Sequence, residues 1–124
     1  VEQRDGKVFV TVGSGGAFPS GTADLTGEAQ RIMDRIALTA MSPDSSITVT
    51  GHTDDVPISN GQFRDNWDLG AGRAASVVQA IQNTGLISGD RLSAVSKGEM
   101  APLADNNTAA GREQNRRIEI EISY

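Results

Sequence analysis

Two periods of hydrophobic spacing run through this chain. Over Lys7-Val8-Phe9-Val10-Thr11-Val12, Val8, Val10 and Val12 share one side and β-branched residues dominate, which predicts a strand. Gly13 to Gly21 is punctuated so densely by Gly and Pro that it reads as a loop. Leu25, Ala29, Ile32, Met33, Ile36, Ala37 and Ala40 then follow one face of a helix, with Arg31, Asp34 and Arg35 on the other. Asp24 is the expected N-cap, and Pro43 lies just past the end. Ser46 to Gly51 is a second strand, with Ile47 and Val49 on one face. A polar loop through Asn60-Gly61 to Asp65 leads to a second helix near Trp67, whose apolar face is Trp67, Ala71, Ala74, Ala75, Val78 and Ile81. Thr84-Gly85 ends it.

Leu92 to Lys97 is a third strand, followed by a loop from Gly98 to Gly111 and a helical turn around Ala109 to Asn115. Arg117 to Ile122 alternates polar and apolar residues strictly, so one face of this last strand is buried and the other wet. The order β-α-β-α-β-loop-β predicts an α/β fold in one layer pair, with helices on one side of the sheet.

A length of 124 residues fits one domain, taken as 1–124, with 1–23 as an extension near a linker. Hydrophobic residues at 37% and charged residues at 22% give a globular balance. Eleven Lys+Arg against sixteen Asp+Glu leave a net charge of −5, which argues against a general nucleic-acid binder. Without Cys, disulfides and thiolate metal sites are excluded, and a single His leaves little for zinc. No apolar run is long enough to span a bilayer, and no signal peptide opens the chain. The first residue is Val, not Met, which reads as a fragment or processed form.

The chemistry concentrates in the middle. Asp54 follows a strand end, while Asn66 and Arg73 lie seven residues, or two turns, apart on one helical stripe with Leu69 and Gly70 between them. That stripe is expected to look away from the core and toward the loop holding Asp54. A carboxylate and a guanidinium flanking one pocket suit a zwitterion, whose ammonium meets the acid and whose carboxylate meets the planar Arg fork. The competing reading is a structural salt bridge or a solvated surface. Gly70 and Gly72 each cost about 1 kcal/mol against Ala inside a helix, so they serve either close packing or ligand approach.

Other constellations are weaker. His52, Asp54 and Asp55 on an extended segment point in different directions, so a capping or turn role for His52 is favoured over a metal. No Gly-x-Ser-x-Gly elbow is present, and Gly13-Ser14-Gly15-Gly16 lacks the Lys of a phosphate loop. Arg112, Arg116 and Arg117 form a basic cluster whose plain reading is solvated charge.

Gly51-His52-Thr53-Asp54, Asn66-Trp67-Asp68-Leu69, Arg73-Ala74 and Asn115-Arg116-Arg117-Ile118-Glu119-Ile120 together resemble the signature of OmpA-like peptidoglycan-binding domains, over about Phe18 to Ile122. The resemblance implies a mixed four-stranded sheet with two main helices packed on one face. It implies non-catalytic binding of peptidoglycan, with Asp54 and Arg73 gripping the diaminopimelate of the stem peptide. Thr53, Asn66, Leu69 and Arg117 are carried over as further site residues, and neither a cofactor nor a metal is implied. Gly70 departs from the family pattern, which commonly has Ser there.

Asp54-Asp55-Val56-Pro57-Ile58 and the insertion through Phe63 to Trp67 resemble the flagellar stator B subunits, MotB and PomB, where Pal-type members have a shorter loop. That likeness implies the periplasmic domain of a single-pass inner-membrane protein, commonly dimeric. Its partners would be peptidoglycan and a stator A subunit, and no nucleic acid. The alternative within the family is a staple between outer membrane and wall. An enzyme using Asp54 and Asp55 stands apart from both, with no further general base in view.

Overall fold

The computed structural model describes the backbone of residues 1–124 and every side chain but that of Arg4. In chain order the elements are β1 (Glu2–Arg4), β2 (Lys7–Gly13), α1 (Ser14–Ala17), α2 (Gly27–Thr39), β3 (Ser46–His52), α3 (Asn66–Asn83), a 3-10 turn (Gly89–Arg91), β4 (Leu92–Gly98), α4 (Ala109–Asn115) and β5 (Arg117–Ser123). The strictly alternating segment, β5, is the central strand. It pairs antiparallel with β2 on one side and β3 on the other. Ile118, Ile120 and Ile122 all face the helices and are almost fully buried, beside Ile47 and Val49 of β3. Met33, Ile36 and Ala37 of α2 and Ala74, Val77 and Ile81 of α3 close this core from above.

The sheet is mixed, in the order β1-β2-β5-β3-β4, because α3 carries the chain from β3 across to a parallel β4. Five strands are present where four are expected. The extra one, β1, folds back on β2 through Asp5-Gly6, whose φ values of 54° and 74° are those a two-residue hairpin turn demands. The glycine-rich stretch after β2 is also more ordered than a loop, since Ser14–Ala17 makes one helical turn.

Two local expectations are corrected. Helix α2 starts two residues later than Asp24 suggests. Thr26 is its N-cap, with its hydroxyl accepting from Ala29 N at 3.2 Å. Helix α3 starts at Asn66, capped by Asp65, and is rotated from the expected face. Trp67 is 48% exposed and Ala71 is exposed, while Asn66, Leu69, Gly70 and Arg73 continue the buried stripe of Ala74, Val77, Ala80 and Ile81. The Asn–Arg stripe therefore faces inward. Trp67 misled the reading because a large aromatic weighs heavily in any apolar face, although its ring lies over Gly98 at the sheet edge.

Candidate ligand-binding site

At the end of β3 the chain leaves the sheet through Thr53 and Asp54, beside the first turns of α3. Close contact between β3 and α3 sets this junction. A Cβ on Gly51 would lie 2.1 Å from Gly70 O, and one on Gly70 would lie 2.5 Å from Ser96 Oγ. Gly70 is thus a packing glycine. Gly72 is another, with its α-carbon against the Phe63 ring, where a Cβ would come within 2.8 Å.

This approach brings Asp54 and Arg73 to one cavity of about 500 Å³. Thr53, Asp54, Val56, Pro57 and Ile58 form the wall after β3, and Asn66, Leu69 and Arg73 form the wall from α3. Ser14, Phe18 and Gly21 close a third side, and Arg112 and Arg116 a fourth.

Each charged group is held. Asp54 is 7% exposed; its Oδ1 accepts from Val56 N at 3.0 Å and its Oδ2 from Arg116 Nη1 at 2.6 Å. Asn66 Nδ2 donates to Asp54 O (3.3 Å) and Val56 O (3.1 Å), so it braces the loop rather than standing free. Thr53 N donates to Gly98 O at 2.9 Å, and its hydroxyl donates to Asp54 O at 2.8 Å.

Arg73 is 5% exposed. Its Nε donates to Thr22 O at 2.8 Å and its guanidinium carbon lies 4.9 Å from the centre of the Phe18 ring, a cation–π contact. Burial pulls its pKa below the ordinary arginine value and the nearby Arg116 charge adds to this, while Asp54 opposes both. Asp54 and Arg73 make no ion pair with one another among the described residues. The carboxylate and the guanidinium face a shared space, an arrangement that accepts a group carrying both signs.

Five of the six site residues carried over by resemblance, Thr53, Asp54, Asn66, Leu69 and Arg73, line this cavity; Arg117 does not. Period-two alternation explains its absence. Ile118 faces the helices, so Arg117 and Glu119 face the opposite side of the sheet. There Arg117 donates to Glu119 Oε2 (2.7 Å), Asn115 O (3.2 Å) and Ala101 O (3.0 Å). Its neighbour Arg116, which caps the end of α4, enters the cavity instead. Arg112 and Arg116 are the residues that sequence reasoning left outside the site. Alternation of β5 was the signal that separates Arg116 from Arg117.

His52 is likewise turned to the far side of the sheet. Its Nε2 lies 3.3 Å from Glu119 Oε1 without hydrogen-bond geometry, and it caps no helix or turn, contrary to expectation. Burial works against ionisation of Glu119, but the Arg117 hydrogen bond and charge, helped by His52, hold its carboxyl below the usual range. Among the described residues no three His, Asp or Glu side chains converge as a metal cluster.

A sequence profile of the OmpA family matches residues 17–116. Motility protein B of Bacillus subtilis is 34% identical over 116 residues, spanning 93% of this chain and 44% of that protein. The peptidoglycan-binding protein ArfA of Mycobacterium tuberculosis is 33% identical over 108 residues, spanning 86% of this chain and 32% of its own length. The chain therefore corresponds to less than half of either relative. Among solved structures, the periplasmic domain of Helicobacter pylori MotB superposes with a TM-score of 0.87 at 28% identity, covering 98% of this chain and 79% of that one.

Proposed function

The chain belongs to the OmpA family, and from that premise we propose that it binds peptidoglycan without catalysis, at the cavity shared by Asp54 and Arg73. The diaminopimelate side chain of the stem peptide ends in an ammonium and a carboxylate on one carbon. The ammonium meets the Asp54 carboxylate and the carboxylate meets the Arg73 guanidinium. Leu69 offers an apolar wall to the methylene chain, and Asn66 and Thr53 fix the loop that presents the acid. Arg117 acts from behind the sheet, tying β5 to the loop at Ala101. One observation carries this reading: the Asp54 carboxylate and the Arg73 guanidinium, from separate elements, share a cavity without pairing with each other.

The finer reading draws on the MotB relatives. The domain is the periplasmic part of a single-pass inner-membrane stator B subunit. It works as a homodimer with a stator A subunit and holds an ion-driven torque unit against the wall. Among the described residues no helix is long and apolar enough to cross a membrane. A membrane anchor would thus belong to parts of a longer protein.

Co-sedimentation with purified sacculi tests the binding. The domain is expected in the pellet, and millimolar free diaminopimelate is expected to release it, whereas cadaverine, which keeps both amines and the methylene chain but has no carboxylate, releases less. A domain that stays in the supernatant, or one that both compounds release equally, contradicts the assignment.

A further inference from the structure

Charge inside the cavity runs against the charge of the chain. Three guanidiniums line it, those of Arg73, Arg112 and Arg116, against the single carboxylate of Asp54. Three positive charges less one negative leave a formal +2 in a chain whose total is −5. The three arginines are also unequal. Arg116 has a carboxylate partner in Asp54. Arg73 and Arg112 have none among the described residues: Arg73 donates from Nε to Thr22 O, and Arg112 from Nη1 to Asn106 O at 2.9 Å. A carbonyl oxygen satisfies one donor of a guanidinium but leaves its charge uncompensated, which is costly for the buried Arg73, while the half-buried Arg112 keeps a charge open to an incoming anion.

We propose that this cavity selects ligands carrying more carboxylates than ammonium groups, and that Arg112 is the residue that reads the extra carboxylate. The inference rests on the binding reading above and deepens it. A bare amino-acid head group supplies one ammonium and one carboxylate, enough for Asp54 and Arg73. It leaves Arg112 unmatched and adds no net negative charge to a site of formal +2. A peptide with a second free carboxylate matches both unpaired guanidiniums. Because Arg116 already compensates Asp54, an arriving ammonium finds a shared carboxylate, and the ligand's carboxylates carry more of the discrimination.

Calorimetric titration of the domain with two peptides separates the possibilities. One is L-alanyl-γ-D-glutamyl-meso-diaminopimelate; the other is the same peptide with both its glutamyl α-carboxyl and the main-chain carboxyl of diaminopimelate amidated, so that only the head-group carboxylate remains. The acid form is expected to bind about tenfold tighter, the scale of one charge-assisted hydrogen bond. In Arg112→Gln that preference should shrink to about twofold or less, and Arg112→Lys, which keeps the charge, should restore most of it. Equal binding of both peptides to the wild-type domain overturns this inference and leaves the binding reading standing. Binding of neither peptide overturns both. A full preference retained in a folded Arg112→Gln removes Arg112 from the role.

Discussion

His52 shows how one residue can belong to a conspicuous motif and still serve the fold. It ends β3 directly before Thr53 and Asp54, yet its ring is buried on the far side of the sheet beside Glu119 and Arg117, with Lys97 contributing from β4. Burial, then the Arg117 charge, lowers its pKa from the ordinary 6.5, with Lys97 acting in the same sense and Glu119 opposing. The unfolded chain therefore takes up this proton at a higher pH than the folded one. Stability owed to the neutral ring is complete above 6.5 and is lost as pH falls through the folded-state value. Urea denaturation of wild type and His52→Gln across pH checks this. The wild type should lose stability relative to the variant as pH falls below about 6.5. A difference that does not change with pH contradicts it. Glu119 titrates in a separate and lower window, since its carboxyl is held below its ordinary 4.5.

At the scale of elements, the crossing of α3 over β3 positions the cavity, and two glycines make it possible. Gly70 stands where related domains commonly carry Ser, and here the hydroxyl comes instead from β4: Ser96 Oγ donates to Trp67 O at 2.9 Å and accepts from Gly98 N at 3.2 Å. Gly70→Ser would place a side chain on that hydroxyl and near Gly51 O. It is expected to cost about 1–3 kcal/mol, the usual penalty for overpacking. Adding Ser96→Ala should recover part of the loss, because one of the two obstructing groups goes. Thermal melting of the single and double variants reads this directly, and an unchanged melting temperature in Gly70→Ser would refute the close-contact account.

Element type was legible wherever periodicity was strong, as in α2, β3 and β5. Orientation was less so. The stripe through Asn66, Leu69, Gly70 and Arg73 is buried although two of its members are polar, because the carbonyls of Asp54 and Val56 after β3 and of Thr22 supply partners for their donors. Hydrophobicity alone cannot see such partners. The hairpin strand β1 was legible in principle from Asp5-Gly6, whose positive φ values fit the turn chemistry of that pair.

Over the whole molecule, the site is an object of tertiary structure. Asp54 and Arg116 are 62 positions apart in sequence, and Arg73 and Thr22 are 51 apart. Asp54 and Arg73 as acid and base on one pocket were readable from residue chemistry and helical spacing, and family resemblance supplied the ligand. The second and third arginines were not readable, because only the sheet order, with β5 between β2 and β3, brings the end of α4 beside the end of β3. A local formal charge of +2 within a domain of −5 is likewise invisible to composition.

The central claim is that Asp54 and Arg73 together bind one amino-acid head group. Its most direct test is a calorimetric titration of wild type, Asp54→Asn and Arg73→Ala with the diaminopimelate tripeptide, each variant first shown by thermal melting to be folded. The account predicts saturable one-site binding by wild type. It predicts a loss of about thirtyfold or more in each variant, the lower end of removing one partner from a desolvated charge contact. Equal affinity in all three folded proteins would contradict it.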